Sequence, residues 1–274
     1  MSFRAKVNIS ALVLIVFAVW YFFIYRHRIE ETRSVEFDQI PASETVHILW
    51  GVPLCENDVI FEYEGFVSGY DTLKLNPLWV SYHLKKDYFR GKKYLREREF
   101  APDPTMDLSN TALNADYKGS GYDRGHMARL ADMKGRSKNC ELESCYFTNI
   151  SPQKRDFNRD TWNVLEEAVD KLTSGNDESW VITGPYFDNE RSFINNRVEI
   201  PDGFYKILIL RSKNQYSPLA FVMDHQADSP NLELYQVSID SVENLTDINF
   251  FPDLQDSIEQ VFESKLMPIP YGWK

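Results

Sequence analysis

Cysteine is scarce in this chain, and the three cysteines present do not form a zinc pattern. Among 274 residues, Cys55, Cys140 and Cys145 form no Cys-x-x-Cys pair, and no Cys/His set has the spacing of a structural zinc site. The odd number leaves at least one thiol outside any disulfide. Cys140 and Cys145 are near enough in sequence to be joined in an oxidising compartment, so a bridge between them is an expectation tied to export.

The chain also lacks a net positive charge, internal repeats and low-complexity segments. Its formal net charge is −11 and its pI about 5.0, which by itself argues against a nucleic-acid partner because phosphate binding usually needs a basic surface. The average conceals a basic block at residues 83–159, with 16 Lys and Arg against 11 Asp and Glu. This block is either a scattered solvated surface or a local positive groove, and both interpretations stay open at this point.

Only one long hydrophobic run is present, and it lies at the N-terminus. As a helix, residues 7–25 would be about 26–28 Å long, which is enough to span a thin bilayer. The run ends in bulky aromatic residues and arginines, unlike the small-residue cleavage site of a signal peptide. We therefore predict an uncleaved membrane anchor at 1–25, a tether at 26–46 and one domain at 47–274. The domain is expected on the exported side, in the periplasm, outside the cell or in the mitochondrial intermembrane space.

The remaining pattern predicts more strands than helices. Short β-branched and aromatic segments bounded by Gly, Pro and Asn are typical of strands. Apolar residues recur every three or four positions in 157–173 and predict a helix, and a second helix is predicted at about 253–265. Strands in runs with few helices indicate an α+β domain and not a doubly wound parallel sheet. The predicted strands are 59–70, 78–84, 180–184, 204–211 and 218–224, and the apolar stripe of the first helix is Trp162, Leu165, Val169 and Leu172.

The segment GSGYDRGHMARL, residues 119–130, brings an arginine and a histidine together. Arg124 and His126 are two residues apart, so on an extended strand their side chains share a face, with Gly125 leaving the backbone open between them. A histidine can accept a proton from water at neutral pH, and a guanidinium binds phosphate oxygens through two parallel hydrogen bonds. A polar turn that merely contains a histidine is the structural alternative.

Asn158 and Glu166 offer oxygen atoms that suit a magnesium ion. On one continuous helix, eight residues turn by about 800° and rise by about 12 Å, so both side chains can face one cleft. Amide and carboxylate oxygens are hard ligands, appropriate for Mg²⁺ held largely by water. A base, an arginine and a sparsely coordinated metal suggest phosphodiester hydrolysis. Taken singly, Asn158 is more typical of a helix cap and Glu166 of a surface acid.

Three motifs together resemble the DNA/RNA non-specific endonuclease family, the endonuclease G-like nucleases with a ββα-metal (His-Me finger) core. The motifs are DRGH at 123–126, TNISPQ at 148–153 and NRDTWNVLE at 158–166, in the order and near the spacing of the family. The similarity extends over roughly residues 48–260. It implies an α+β fold with a central antiparallel sheet flanked by helices, Mg²⁺ as cofactor with Mn²⁺ as a substitute, DNA and RNA as substrates, and a homodimer as a further expectation.

The resemblance also implies roles for individual residues of the site. His126 corresponds to the general base, and Asn158 to the one direct protein ligand of Mg²⁺. Glu166 corresponds to an acid that reaches the metal through water. Arg124 and Arg98 correspond to arginines that hold the scissile phosphate, with Arg98 stabilising the developing negative charge. Hydrolysis in this family leaves 5′-phosphate and 3′-hydroxyl ends.

Other positions are either supporting groups or departures from the family pattern. Asp123, Asn149 and Gln153 correspond to supporting groups near the metal. Arg129 is interpreted as a further phosphate contact or as a surface charge. Some family members carry an arginine four residues after the glutamate, whereas this chain has Asp170 there, so one phosphate contact is lost or moved.

Two other interpretations stay open. The acidic composition and the absent arginine favour a non-catalytic nucleic-acid-binding or interaction module on the same scaffold, although the intact set of His126, Asn158 and Glu166 argues against it. The third interpretation is a nuclease released from the membrane, which shares the chemistry and differs only in processing.

Overall fold

The computed structural model describes residues 35–36, 45–91, 93–94, 99–188 and 190–269. The chain divides into two units, residues 1–35 and 36–274, and the description below concerns the second. The predicted anchor and most of the predicted tether lie outside the described residues. Within the described residues, no helix is both long enough and apolar enough to cross a bilayer.

An antiparallel sheet forms the centre of the domain. Its spatial order is β2-β3-β4-β7-β10-β11, and β12 pairs with β11. β7 and β10 lie in the middle and are buried along most of their length, so their sequences are mainly apolar. The strands are β1 Val35–Glu36, β2 Asp58–Glu62, β3 Val67–Asp71, β4 Asn76–Leu84, β5 Tyr122–His126, β6 Ile150–Lys154, β7 Glu178–Tyr186, β8 Phe193–Ile194, β9 Val198–Glu199, β10 Gly203–Ser212, β11 Gln215–Asp224 and β12 Gln236–Val237.

Seven α-helices and four 3-10 turns are present in the described residues. The helices are α1 Asn114–Tyr117, α2 Leu130–Met133, α3 Lys138–Glu143, α4 Arg155–Arg159, α5 Thr161–Gly175, α6 Ile239–Thr246 and α7 Asp256–Glu263, and the 3-10 turns are Lys86–Arg90, Leu108–Asn110, Phe147–Asn149 and Leu232–Tyr235. A central antiparallel sheet with helices packed on it confirms the predicted α+β class.

Four predicted strands are confirmed, and one is wrong. The segment predicted as a single strand at 59–70 is the hairpin β2–β3, closed by the pair Glu62 and Val67. The Tyr63 amide donates to the Phe66 carbonyl at 2.9 Å, which reverses the chain at Glu64-Gly65. A Cβ on Gly65 would press against the sulfur of Met133, so this tight turn needs glycine. The Glu-Gly pair was the turn signal inside an otherwise strand-like run.

The helix predicted at 157–173 is two helices, α4 and α5, which meet at Asp160. Its backbone, with φ −107° and ψ −90°, belongs to neither helix. Aspartate is a weak helix former, and this change of direction lets the two helices present different faces. The predicted apolar stripe is confirmed, because Trp162, Leu165, Val169 and Leu172 are all buried.

The core between α5 and the sheet explains which strand residues face the helix. Residues of β10 alternate, so Phe204 and Leu208 pack in the same cluster as Trp162 and Leu165. Tyr205 points to the opposite face, where its ring lies 5.3 Å from that of Phe250. The same alternation places one charged residue of β10 on the helix side, where it becomes part of the site described below.

The C-terminal helix prediction is confirmed as α7, and the sequence analysis missed α6. The predicted range 253–265 exceeds α7 by three residues at its start and two at its end. α6 buries only Ile239 and Val242, one turn apart. Two apolar positions are too few to reveal a helical period, which is why the sequence pattern did not indicate this helix.

The expected bridge between Cys140 and Cys145 is absent, and all three cysteines are thiols. Both residues are buried, and Cys140 belongs to the core cluster of α5. The backbone from α3 through Ser144 is helical. Five residues of helix turn by about 500°, so the two side chains point in directions about 140° apart.

Candidate active site

A cleft of about 590 Å³ opens where β5, α2, α4 and α5 meet. β6, the second strand of the two-stranded sheet β5–β6, leads directly into α4, so the three elements form a ββα unit beside the central sheet. The cleft is lined by Phe100, Asp123, Arg124, His126, Arg129, Leu130, Ala131, Asn158, Arg159, Asn163 and Glu166. Six residues proposed from the sequence are therefore neighbours in space, although they span 44 positions of the chain.

β5 is the strand that presents the arginine and the histidine. Arg124 and His126 both line the cleft, as the two-residue alternation of a strand requires. β5 pairs with β6 from Tyr122 opposite Lys154 to His126 opposite Ile150. The other described histidines, His47, His83 and His225, are buried, and burial lowers the pKa of each to about 4.

Asn149 fixes the chain immediately after His126. Its side-chain oxygen accepts from the Ala128 amide at 2.8 Å, and its Nδ2 donates to the Ala128 and Ser144 carbonyls at 2.9 and 2.7 Å. The Met127 amide also donates to the Asn149 carbonyl, at 2.9 Å. Asn149 is fully buried, so it supports the site by holding this backbone in place and does not reach the cleft itself.

Gly125 serves a purpose different from the one inferred from the sequence. The prediction was that it leaves the backbone open between Arg124 and His126. In the structure Gly125 is buried against the side chain of Gln153, and an added Cβ would overlap the Gln153 amide. Gln153 is itself fully buried on β6. The glycine is therefore needed so that the two strands can close over this glutamine.

Replacing Gly125 with alanine is expected to lower the free energy of unfolding by about 1–3 kcal/mol, because the new methyl group overfills a closed space. The matched control is Gly175→Ala at the end of α5, where an added Cβ meets nothing within 4 Å. That control should be neutral or slightly stabilising. Urea denaturation of both variants measures the difference, and equal midpoints would show that Gln153 does not confine position 125.

Asp123 connects β5 to α4 and orients the proposed metal ligand. Its Oδ2 accepts from Asn158 Nδ2 at 3.3 Å and from Arg159 Nε at 2.9 Å, and its Oδ1 accepts from Arg159 Nη2 at 3.3 Å. Because the amide nitrogen of Asn158 is directed at Asp123, its Oδ1 is the atom left to serve as a ligand. A carboxylate that orients a ligand from behind is typical of metal sites.

The three arginines of the cleft differ in how their charge is balanced. Arg159 pairs with Asp123, and Arg129 pairs with Asp132 and with Asp170. Arg124 has no carboxylate partner among the described residues. Its Nη2 donates to the Asn114 carbonyl at 3.3 Å, which leaves the full positive charge in the cleft.

Aromatic rings hold the Arg124 guanidinium in place. Its central carbon lies 5.4 Å from the ring of Phe100 and 5.5 Å from the ring of Tyr117. Phe100 also stands 5.3 Å from the His126 ring. Cation–π contacts restrain an arginine without neutralising it, so its hydrogen-bond donors stay available for an anion.

Glu166 sits above a buried group of charges. Burial raises its pKa, and the charges of Arg129 and Lys206 oppose that rise. Lys206 is the charged residue of β10 that faces α5. It is almost fully buried, with its Nζ 4.8 Å from the centre of the Trp162 ring, and burial lowers its pKa.

Asp132 and Asp170 complete this group by engaging Arg129. Arg129 Nε donates to both oxygens of Asp132 at 3.2 Å, and Asp132 also accepts from the Tyr82 hydroxyl at 3.1 Å. The pKa of Asp170 is raised to about 6. Burial is the largest cause, and repulsion from Asp132 is the second. Asp170 occupies the position where some family members have an arginine, and here its carboxylate forms an ion pair with Arg129.

The structure thus brings six predicted residues to the cleft and places others elsewhere. Asp123, Arg124, His126, Arg129, Asn158 and Glu166 line it, Asn149 and Gln153 are buried behind it, and Arg98 lies outside the described residues. The predicted single helix for Asn158 and Glu166 is wrong, since they lie on α4 and α5, yet both face the cleft.

The sequence analysis missed Lys206 and Asp132. The signal for Lys206 was a lone lysine in the apolar run FYKILIL. A charged residue on the inner face of a central strand needs a partner, so it points to a buried charge cluster. Asp132 had no comparable signal, because a single aspartate is ordinarily a surface residue and the four residues Leu130–Met133 are too few to show a helical period.

Comparison with known proteins agrees with this geometry. The sequence profile of the DNA/RNA non-specific endonuclease family matches residues 47–257. Mouse mitochondrial nuclease EXOG is 32% identical over 79% of this chain and 63% of that protein, and human mitochondrial endonuclease G is 32% identical over 70% of this chain and 69% of that protein. A nuclease of Nostoc is 27% identical over 83% of this chain and 88% of that protein.

A solved structure is similar as well. The crystal structure of the EndoG/EndoGI complex aligns with a TM-score of 0.66 and 29% identity, over 72% of this chain and 87% of the matched chain. A ββα unit beside an antiparallel sheet, with a histidine and an asparagine in one cleft, is the arrangement of a nuclease-type domain. The chain belongs to the DNA/RNA non-specific endonuclease family. It spans about three fifths of the length of the EXOG relatives that it matches.

Proposed function

We propose that this protein is a metal-dependent endonuclease that hydrolyses DNA and RNA with little sequence specificity. The observation that carries the proposal is the convergence of His126, Arg124 and Asn158 in one cleft, with Glu166 beside them. These residues supply a base, an anion-binding cation and oxygen ligands. Hydrogen bonds restrain the side chains of Arg124 and Asn158, which favours a defined catalytic geometry.

His126 is assigned the removal of a proton from the attacking water. It lies on β5, which pairs with β6 in a two-stranded antiparallel sheet, and Asn149 holds the backbone that follows it. A positioned histidine is the most frequent general base in enzymes, since it accepts a proton near neutral pH. The attack breaks the bond from phosphorus to the 3′ oxygen, so the products carry 5′-phosphate and 3′-hydroxyl ends.

Arg124 is assigned the oxygens of the scissile phosphate. No described carboxylate neutralises it, and its guanidinium is confined between two aromatic rings. A planar guanidinium can bind two phosphate oxygens at once. Arg98 is assigned a second contact of this kind by its sequence motif. Arg129 is assigned a structural task instead, because Asp132 and Asp170 balance its charge.

The donor set of the cleft fits Mg²⁺. Asn158 offers its Oδ1, because its Nδ2 is directed at Asp123, and Glu166 offers carboxylate oxygens. Hard oxygen donors in small number suit a cation that keeps much of its own hydration, with Mn²⁺ as a substitute. When bound, such an ion supplies positive charge to stabilise the leaving oxygen. The endonuclease G-like family is generally metal-dependent, which supports the same assignment.

Lys206 and Arg129 are assigned the positioning of Glu166. Both act on this carboxylate from within the protein, and both favour its charged form. Lys206 cannot touch a substrate, because it is covered by Trp162. The positive charges of Arg129 and Lys206 favour a position of the Glu166 carboxylate near them, at the base of the cleft.

The same cleft gives a physical reason for low sequence specificity. Arg124, His126 and Asn158 address a phosphate and its surroundings, which are common to every nucleotide. Contacts to the phosphate backbone carry no base information. DNA and RNA should therefore both be cleaved, with affinity that falls as salt rises because the cationic side chains of the cleft compete with counterions for the phosphates.

The full chain should cleave plasmid DNA and single-stranded RNA in Mg²⁺ and lose this activity in excess EDTA. Activity should return when Mg²⁺ or Mn²⁺ is added back, since neither Asn158 nor Glu166 can supply the positive charge that the leaving oxygen needs. Gel electrophoresis of the products, with end-group analysis, is the measurement. Binding without cleavage in Mg²⁺ and Mn²⁺ would favour the alternative, a non-catalytic module on the same scaffold.

We also propose that residues 7–25 anchor the protein in a membrane. The support is the uncharged run that ends in an aromatic cluster and arginines. The EXOG and endonuclease G relatives are named as mitochondrial proteins, and a mitochondrial membrane is compatible with this proposal.

The full chain should sediment with membranes and resist alkaline carbonate extraction. Leu14→Arg should release it, since a charge in the middle of the span is costly, whereas Leu73→Arg, at an exposed position of the domain, should not. Immunoblots of the membrane and soluble fractions provide the measurement, and full release of the unaltered chain by carbonate would refute the anchor.

A further inference from the structure

Carboxylates from α6 and α7 converge at a place separate from the cleft. Asp240 and Glu243 are three residues apart on α6, and Glu263 lies at the end of α7. Residues at this spacing are neighbours on a helix surface. One oxygen from each of the three carboxylates lies within 4.8 Å of the others. None of the three lines the cleft that holds His126.

Glu263 is the unusual member of this group. It is 3% exposed, and its Oε1 atom is buried without a hydrogen-bond partner, although its carboxyl group is near enough to that of Glu243 to form a hydrogen bond when one of the two is protonated. The other acids are better satisfied: Glu243 Oε1 accepts from the Phe250 amide at 2.9 Å, and Glu259 Oε1 accepts from Asn249 Nδ2 at 3.3 Å. A buried carboxylate oxygen with no donor is expensive, and it faces two further carboxylates.

The charges around Glu263 share its sign. After burial, the strongest influences that raise its pKa are Glu243, Glu259 and Asp240. Burial is also the first cause of the raised pKa of Glu243 and of Asp240. Two states relieve such a cluster: either two carboxyl groups share a proton, or a cation lies between them.

We propose that Asp240, Glu243 and Glu263 bind a divalent cation of the calcium type, independently of the catalytic metal. Ca²⁺ takes oxygen ligands at about 2.3–2.6 Å in flexible geometry, so atoms up to about 4.6–5.2 Å apart can ligate one ion. The observed spread of the three oxygens falls within that span. The ion would join the two C-terminal helices and satisfy the buried Glu263 oxygen, so it stabilises the fold and takes no part in hydrolysis.

Thermal unfolding of the full chain, stripped of metal with EDTA and returned to metal-free buffer, tests the site. With CaCl₂ at about ten times its dissociation constant, the unfolding equilibrium should shift about tenfold, and the melting temperature should rise by about 3–6 °C. Glu263→Gln and Glu243→Gln should each abolish this rise. Asp256→Asn, an exposed acid at the start of α7, is the matched control and should retain it.

A third variant distinguishes calcium binding at this site from binding in the catalytic cleft. Asn158→Ala should retain the calcium-dependent rise, because Asn158 lies in the catalytic cleft. A rise that disappears in Asn158→Ala but persists in Glu263→Gln would mean that the ion binds the cleft, and would overturn the proposal. No response of the unaltered protein to CaCl₂, together with a higher melting temperature of metal-free Glu263→Gln, would identify a shared proton and overturn it as well.

Discussion

His126→Ala should lower the rate of plasmid cleavage by about 10²–10⁴-fold, which is the usual contribution of a positioned general base. Plasmid binding should change by no more than about twofold, because phosphate affinity comes from the cationic groups. Cleavage and binding are expected to respond differently because the group proposed to bind phosphate is held independently of His126. Arg124 is held by Phe100, Tyr117 and the Asn114 carbonyl, none of which depends on the histidine side chain.

Single-turnover cleavage with excess enzyme measures the chemical step, and fluorescence anisotropy with a labelled duplex measures binding in EDTA, where cleavage is expected to stop. Imidazole added to His126→Ala should restore part of the rate, since the cleft is large enough, at about 590 Å³, to admit it. An unchanged cleavage rate in His126→Ala would sink the assignment of the base. A parallel loss of binding and melting temperature would point to a structural histidine instead.

Asn158→Ala should raise the Mg²⁺ concentration needed for half-maximal activity by at least about 10–100-fold, the range already reached when groups that merely support a metal ligand are removed. Asn158 is proposed as the direct ligand, and α4 carries no other amide side chain that could replace it. The neighbouring Asp123 loses its partner as well, but it keeps the two hydrogen bonds from Arg159. The fold around α4 should therefore survive the substitution.

The matched control for this variant is Asn163→Ala. Asn163 is the same residue type and lines the same cleft, but its Nδ2 is directed at Glu167 Oε1, 2.9 Å away. That pair is one turn apart on α5 and worth only a few tenths of a kcal/mol. Magnesium titrations of both variants, read as initial cleavage rates, decide the matter. If Asn158→Ala and Asn163→Ala show the same half-maximal concentration, Asn158 is not the ligand.

The partners of the arginines illustrate what a linear pattern cannot contain. From the sequence, Arg124 is assigned to the scissile phosphate by its motif, whereas Arg129 is either a further phosphate contact or a surface charge. The structure separates them, because Asp170 arrives from α5, 41 positions further on, and balances Arg129 together with Asp132. Of the three arginines that line the cleft, Arg129 and Arg159 are thus paired within the protein, and Arg124 has no carboxylate partner among the described residues.

Local signals were sufficient for the elements that carry their own periodicity. β4, β7, β10 and β11 follow from β-branched and aromatic runs, and the buried face of α5 follows from apolar spacing. The shared face of Arg124 and His126 was expected for an extended strand, although the strand itself was not among those predicted. These features depend on residues that are close in sequence, so their physical cause is visible in the sequence itself.

Tertiary structure decided the features that depend on distant residues. Gly125 is required by the buried Gln153 on the neighbouring strand, and Asn158 is oriented by Asp123. The break at Asp160 was decided by how α4 and α5 pack, since a hydrophobic pattern does not record a change of helix axis. The sequence by itself determined the α+β class, the motif residues and the chemistry that they support. Packing determined which charges are balanced internally and which remain available to a substrate, because burial and partners set the cost of a charge, and neither can be read from its neighbours in the chain.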